Sequence, residues 1–360
     1  MRVLHILNEL DDVGNGIVNV AVDLALSQAK LGFTVAVASS GGAFVGLIEA
    51  NGVIHYPFAF STNPVMIFRN SSRLADVIAD FRPEIVHSHM LAAAGTALVL
   101  SIRSRFVRSG SGFLTVSTVH NEYQRGVAIM GLSDVTVGVS RAVEAAMRRR
   151  VRRGANVCVY NGAIGSQRRV LPEVATRDCN NLSLVTVGAV SERKGSDIVY
   201  EVWTKLRRKH PGLELIYVGN PDWTEFVDMC SGVEGVRFVG YSSTPASYVS
   251  AASVFVLPSR REPFGLAALE ARELGVPVVA SAVDGLPEVL DWGRAGQLVP
   301  PEDVSGFTSV IDDLLSDPVY RKEWCDRATR GLDRFTVESM GASYERVYRR
   351  HLGTVRRMRS

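Results

Sequence analysis

Short β-branched apolar runs alternate with segments of helical period along the whole chain. That alternation predicts a parallel sheet wrapped by helices. In the first half the runs lie at Val3–Leu7, Thr34–Ala38, Ile85–Ser88, Leu114–Val119 and Val135–Val139, with Val157–Tyr160 closing the set. In the second half they lie at Leu182–Val187, Glu214–Val218, Val236–Val239, Val254–Leu257 and Val278–Ala280. Helices are expected between them, for example over Val18–Leu31, Ala142–Arg152 and Ser196–Lys209. Residues 163–181 show no periodicity and read as a linker. Each half therefore begins with a strand that leads into a glycine-containing turn. Two Rossmann-like α/β domains follow from this pattern, residues 1–165 and 182–336, with their strand C-termini expected around one cleft.

Length supports the division, since a chain of 360 residues exceeds the size at which single cores tend to split. A hydrophobic content of 46% and a charged content of 21% are ordinary for a globular protein. No apolar run approaches the roughly 20 residues that span a bilayer. The N-terminal run meets Asn8-Glu9 too early for a signal peptide, so cytoplasmic residence is the expectation. Cys158, Cys179, Cys230 and Cys325 have no metal-ligand spacing and read as plain thiols. The formal net charge of +3 is unevenly spread: residues 1–165 carry 15 Lys+Arg against 11 Asp+Glu, and the remainder 25 against 26. Arg103, Arg105, Arg108, Arg148, Arg149, Arg150, Arg152 and Arg153 concentrate the excess, and Arg349, Arg350, Arg356, Arg357 and Arg359 close the chain. Solvated helix faces account for such runs. The sharper reading is contact with an anionic membrane surface or a lipid-linked acceptor. No aromatic residues interleave with them in a nucleic-acid-binding module, so no nucleic-acid partner is expected.

The most informative stretch runs from Ser259 to Ala280. Strand Val254–Leu257 ends at Pro258, a polar loop follows, and Phe264-Gly265 opens a helix reaching Leu274. Glu262 precedes this helix and Glu270 lies on it, eight positions later. Eight residues at the helical rise span roughly 12 Å, close to the distance from ribose to sugar in a nucleotide diphospho-sugar. Between them a helix N-terminus offers free N–H groups and a positive dipole end to a diphosphate. An ordinary amphipathic helix with two solvated glutamates is the plain alternative. The full string Glu-Pro-Phe-Gly-Leu-Ala-Ala-Leu-Glu-Ala, with Pro258-Ser259 before it and Gly275-Val276-Pro277 after it, resembles the E-x7-E signature of retaining glycosyltransferases of family 4. That family has the GT-B fold.

Other segments extend the resemblance. Gly188-Ala189-Val190-Ser191-Glu192-Arg193-Lys194-Gly195 is similar to the family's Gly-Arg-Leu…Lys-Gly segment, whose Arg and Lys bind the donor diphosphate. Lys194 and Gly195 match, whereas Ala189 stands where the family has Arg, and Arg193 is the neighbouring cation that could replace it. A cation is physically expected there, because the leaving pyrophosphate gains negative charge as the glycosidic bond breaks. Asp11-Asp12-Val13-Gly14-Asn15-Gly16 matches the family's Gly-Gly loop imperfectly. Gly16 would let the backbone approach a phosphate or sugar, and a tight structural turn is the alternative. His120, in Thr118-Val119-His120-Asn121, matches the family's Thr-x-His motif, whose histidine lies by the donor sugar and the acceptor. His89 ends a strand in the same way. For each, a satisfied core histidine is the alternative, and His5, His55, His210 and His351 receive no functional assignment. No Asp-x-Asp occurs in the chain, which fits a metal-independent mechanism without cofactor.

The resemblance implies a GT-B transferase that moves a sugar from a UDP- or GDP-linked donor to a saccharide, lipid-linked or small-molecule acceptor, with retention. It assigns Glu270 to the ribose hydroxyls, and Lys194, Arg193 and the backbone at Gly265-Leu266 to the diphosphate. Glu262 and Phe264 fall to the donor sugar, and Gly240-Tyr241 to the base. Gly16, His89, His120 and Asn121 shape the acceptor side, with His120 and Glu262 closest to the chemistry. In the family a last helix, here 337–355, packs back on the first domain. Two rivals remain: a sugar-nucleotide 2-epimerase of similar architecture, and a non-enzymatic two-lobed sugar-binding protein. The second would need a signal peptide and no cationic diphosphate site.

Overall fold

The computed structural model describes residues 1–12, 14–106, 112–151, 154–169, 171–172 and 182–359. Two compact units divide the chain, Met1–Ser166 with Arg334–Ser360, and Gln167–Asp333. Each holds one sheet whose named strands pair in parallel.

In the first unit the strands are β1 (Arg2–Ile6), β2 (Thr34–Ser39), β3 (Ile54–Pro57), β4 (Ile85–Ser88), β5 (Leu114–Val119), β6 (Val135–Gly138) and β7 (Ala155–Cys158). Their spatial order is β3-β2-β1-β4-β5-β6-β7. The chain winds outward from β1 to β3, then returns to pair β4 against the free side of β1. This reversal makes a switch point between β1 and β4, where ligands of such sheets bind beyond the strand C-termini. One sheet face carries Leu4, Ile6, Ala36, Ala38 and Val86, which pack against Leu74, Ile78 and Phe81 of helix Pro64–Phe81 and Ala93, Ala97 and Leu100 of the next helix. Alternation along each strand places His5 and His87, partners in register, on the other face. Helix Gly16–Lys30 and the C-terminal helix Val337–Arg359 contribute Gln28, Tyr344 and Tyr348 there. Ser27 Oγ donates to Val337 O at 3.1 Å and ties these two helices together. The return segment starts at Arg334, because Ala163 N bonds Phe335 O at 3.0 Å and Ile164 bridges Thr336.

The second unit contains β8 (Ser183–Val187), β9 (Glu214–Val218), β10 (Val236–Gly240), β11 (Val254–Leu257), β12 (Val278–Ser281) and β13 (Gln297–Val299). Their order, β10-β9-β8-β11-β12-β13, repeats the device, with its switch point between β8 and β11. Its core gathers Leu184, Val202, Trp203, Leu215, Val254, Val256, Val279 and Phe307. Arg272 is fully buried beneath the helix Leu266–Glu273, where its guanidinium donates to the carbonyls of Ala328, Val289 and Arg330. Such a charge is tolerated because backbone oxygens surround it.

The expected strand positions agree with these to within a few residues. Edge strand β3 and the three-residue β13 were not expected. The helix expected over Ala142–Arg152 runs Arg141–Arg150, and the last helix extends to Arg359. Arg108, Arg152 and Arg153, and the side chains of Arg103, Arg105, Arg356, Arg357 and Arg359, lie outside the described residues. So do Cys179 and much of the segment read as a linker.

Candidate active site

In the second unit, the loops after β8 and β11 meet at the switch point. After β8 the chain turns through Gly188, a short 3-10 turn at Glu192–Lys194 and Gly195, which adopts φ +71° before helix Ser196–Leu206. After β11 the loop 258–265 leads to Gly265, at φ +104°, and helix Leu266–Glu273. Lys194 Nζ lies 2.5 Å from Glu262 Oε2, an ion pair across the two loops. Glu262 is 8% exposed, and its carboxylate also accepts from Ser259 Oγ at 3.4 Å. Its backbone is fixed from both sides: Glu262 N donates to Asp284 Oδ2 at 2.8 Å, and Gly285 N to Glu262 O at 3.1 Å. Arg260 braces the same corner, with a two-pronged bond to Asp197 at 2.8 and 2.9 Å and another to Glu302 at 2.8 Å. Burial opposes ionisation of Asp197, but the guanidinium outweighs it and holds the carboxyl below its usual range. The helix that starts at Leu266 has no side-chain cap, so its first N–H groups are available to an anion.

In the first unit, a pocket of about 210 Å³ opens at the β1/β4 switch point, with Asn8, Glu9, Asn15, His89, His120 and Asn121 among its polar lining. Asn15 caps the helix Gly16–Lys30 by accepting from Ile17 N at 3.0 Å. Four histidines gather beneath the pocket. His120 Nε2 lies 3.3 Å from His89 Nδ1, and His89 Nε2 3.0 Å from His5 Nδ1. His87 bonds Tyr348 and Thr118, each at 2.7 Å. Burial pushes His120 down to about 3 and His5 to about 4, the latter opposed by its bond to Gln28. His87 and His89 fall well below the ordinary imidazole value, through burial first and neighbouring imidazoles second. All four rings are therefore neutral at pH 7. Nitrogens of His5, His87 and His89 come within 4.8 Å of one another, a spacing that could suit a metal ion. The rings of His87 and His89 stack at 4.3 Å. Each nitrogen of these three rings is already engaged in a hydrogen bond. In this structure the three rings are held in a hydrogen-bonded network.

Two family models match the chain: glycosyl transferases group 1 over residues 181–317, and glycosyltransferase family 4 over residues 14–163. The chain belongs to this family. A glycogen synthase of Mycobacterium tuberculosis is 29% identical over 274 residues, 73% of this chain and 59% of that protein. The phosphatidyl-myo-inositol mannosyltransferase of Mycolicibacterium smegmatis is 32% identical over 160 residues, 43% of this chain and 42% of its own. The chain thus spans about three-fifths or less of these curated relatives. Among solved structures, Anabaena Alr3699/HepE in complex with UDP and glucose superposes with a TM-score of 0.78. It covers 96% of this chain and 99% of its own at 18% identity. The fold is GT-B, built from two Rossmann-like domains.

Within this glycosyltransferase fold the residues singled out in the sequence fall into two groups. His89, His120 and Asn121 share the first unit's pocket, and the two neighbours of Gly16, Asn15 and Ile17, line it as well. Gly16 itself is the first helical residue; the left-handed conformation belongs to Gly14, at φ +72°. Lys194, Glu262, Gly265 and Leu266 cluster in the second unit. Arg193 lies beside them, but its guanidinium donates to Arg261 O at 3.1 Å, so it ties the two loops together. Phe264 is buried, 3% exposed, beside the helix N-terminus. Gly240 takes φ +76° at the end of β10, and Tyr241 after it is 42% exposed. Glu270 faces Arg169, whose Nε lies 3.6 Å from Glu270 Oε1 and whose Nη1 lies 2.5 Å from Glu273 Oε2. Arg169 and Gln28 carry no signal in the sequence, since only packing across distant segments gives them their partners.

Proposed function

We propose that the protein is a retaining glycosyltransferase that moves a sugar from a nucleotide diphospho-sugar to a saccharide or lipid-linked acceptor. The Lys194–Glu262 pair across the β8/β11 switch point carries this reading. It sets a cation and a hydroxyl-binding carboxylate beside an uncapped helix N-terminus, which suits a diphosphate joined to a sugar. Lys194 and the N–H groups at Gly265-Leu266 hold the diphosphate, Glu262 takes the sugar hydroxyls, and Glu270 the ribose. Gly240 and Tyr241 border the base. The C1–O bond to the diphosphate breaks with its electron pair passing to the phosphate oxygen. The acceptor oxygen bonds C1 on the same face, and its proton goes to the departing phosphate. Cationic and backbone groups supply the charge stabilisation, so no divalent ion is needed. The HepE complex, which contains UDP and glucose, supports a UDP-linked donor.

Calorimetry and assay together test this. With UDP or GDP alone, Glu270→Ala is expected to weaken binding by about tenfold or more, the loss of hydrogen bonds to a charged group. Glu262→Ala leaves that affinity within about threefold while turnover collapses. Wild-type transfer continues in excess EDTA. Equal loss of nucleotide affinity in both variants sinks the assignment of the two carboxylates. Complete loss in EDTA, restored by Mg²⁺ or Mn²⁺, sinks the metal-free mechanism.

A lipid-linked acceptor is favoured by one surface of the first unit. Helix Pro64–Phe81 exposes Val65, Met66 and Phe68 at 68%, 38% and 59% beside the exposed Arg69 and Arg73. Apolar side chains next to arginines fit peripheral contact with an anionic bilayer, where each basic residue contributes on the order of 1 kcal/mol. Among the described residues no helix is long and apolar enough to cross a membrane. Co-sedimentation with anionic vesicles is expected at low salt and lost at high salt, and Phe68→Ser with Arg69→Ser weakens it. Equal behaviour toward neutral and anionic vesicles removes the membrane from the proposal.

A further inference from the structure

Eight side chains on one face of the first sheet form a continuous hydrogen-bonded line. It runs His120–His89–His5–Gln28–Tyr348–His87–Thr118–Tyr344, with links between 2.7 and 3.3 Å. Which nitrogen of each ring carries hydrogen is set by the orientation of the Gln28 amide, from which the other contacts follow. Gln28 turns its carbonyl Oε1 to His5 Nε2 at 2.9 Å and its amide Nε2 to Tyr348 Oη at 3.2 Å. With the amide in this orientation His5 Nε2 donates, which leaves His5 Nδ1 a lone pair. That lone pair accepts from His89 Nε2, so His89 Nδ1 is an acceptor in turn, and it receives from His120 Nε2. Tyr348, already accepting from Gln28, donates its hydroxyl hydrogen to His87 Nδ1, and His87 Nε2 donates to Thr118. Each ring nitrogen of His5, His87 and His89 then has one role, donor or acceptor. His120 Nδ1 has no partner among the described residues, and the residue that carries it lines the pocket.

We propose that this line locks His120 in its Nε2–H tautomer, so that Nδ1 is a fixed hydrogen-bond acceptor for a hydroxyl of the bound saccharide. His5, His89 and Gln28 are then positioning residues. The inference rests on the transferase reading for its ligand, but the tautomer itself does not. Presenting an N–H at Nδ1 instead would require proton shifts on three rings and rotation of the Gln28 amide. Those changes would in turn reverse Tyr348 and His87. Because His5, His87, His89, Gln28 and Tyr348 are buried, an intermediate with one of their links reversed leaves a polar group unsatisfied. A neutral, single-tautomer imidazole discriminates a sugar hydroxyl, which can donate to it, from an ether or carbonyl oxygen, which cannot. The lowered pKa keeps the ring neutral at pH 7 although part of the residue faces the pocket, which suits an orienting acceptor.

Long-range ¹H–¹⁵N correlation spectra of the full chain labelled with ¹⁵N-histidine, at neutral pH without substrate, read the tautomers directly. His5, His89 and His120 are each expected as Nε2–H with a bare Nδ1; an Nδ1–H signal for His120 overturns the proposal. Gln28→Met keeps the length of the side chain and removes both of its polar links. In that variant His120 is expected to populate both tautomers, and kcat to fall about tenfold at unchanged donor KM, the cost of one misdirected hydrogen bond. A folded Gln28→Met protein with an unchanged His120 tautomer also overturns it. Should Gln28→Met fail to fold, the wild-type spectrum still decides. Absence of transfer by the wild-type protein counts against the proposed activity and leaves the tautomer result standing.

Discussion

Replacing Lys194 by alanine is expected to cut transfer by roughly a hundred- to a thousandfold, the range seen when one preorganised charge-stabilising group is removed from a reaction centre. The effect has two sources. In the proposed reaction the diphosphate loses the cation that meets its growing charge, and Glu262, nearly buried, loses its partner 2.5 Å away. A buried carboxylate stripped of its counterion costs several kcal/mol, more than the pair was worth intact. Stability of the second unit should therefore fall together with activity. The two contributions separate in the double variant Lys194→Ala with Glu262→Gln, in which no unpaired charge remains. Thermal unfolding is expected to return close to wild type in the double variant, while transfer stays lost. Recovery of transfer with stability would show that the pair holds the loop and touches no substrate. In that case the cation for the diphosphate must be sought elsewhere.

The sequence states the parallel architecture openly because central strands are buried on both faces and read as unbroken apolar runs. Val254–Leu257 is such a run, and its bounds agree with β11 residue for residue. Ile54–Pro57 is hidden because an edge strand with His55, Tyr56 and Pro57 has no such pattern and one half-open side. The second unit's site is similarly legible. Lys194 and Glu262 each follow directly from a strand, and the switch-point topology brings consecutive central strands together whatever lies between them in the chain. What was not legible depends on side chains from remote segments. His5 received no functional assignment, and only Gln28 and the tyrosines of the last helix, more than three hundred residues away, turn it into part of a line. Arg193 has a contact that its place in the string did not show. Its neighbour binds across the switch point, but one residue further round a 3-10 turn the guanidinium points to a backbone carbonyl.

Gly195→Ala is expected to destroy the donor half-site through the backbone alone. A Cβ at this position would lie 2.1 Å from Pro258 O and 2.8 Å from its carbonyl carbon, backbone atoms at the end of β11. Neither side can yield cheaply: Gly195 closes the turn through its bond to Glu192 O at 3.0 Å, and β11 is paired on both edges by β8 and β12. The left-handed φ of +71° adds its own strain, roughly 1 kcal/mol for a residue with a side chain. Together the clash and strain place the loss of stability at roughly 3–5 kcal/mol, the range of the most disruptive single substitutions. The same displacement moves Lys194 away from Glu262, so donor binding and transfer should both fall by more than about a hundredfold. Gly212→Ala is the matched control. It has φ +85° and no atom within 4 Å of the added carbon, so it carries the strain without the clash. Denaturant unfolding should show it losing only about 1 kcal/mol, with transfer unchanged. If the two alanine variants lose stability equally, close approach of the two loops is not what requires glycine at 195. The tight packing of the Lys194 turn on the end of β11 would then cease to explain how the site is held.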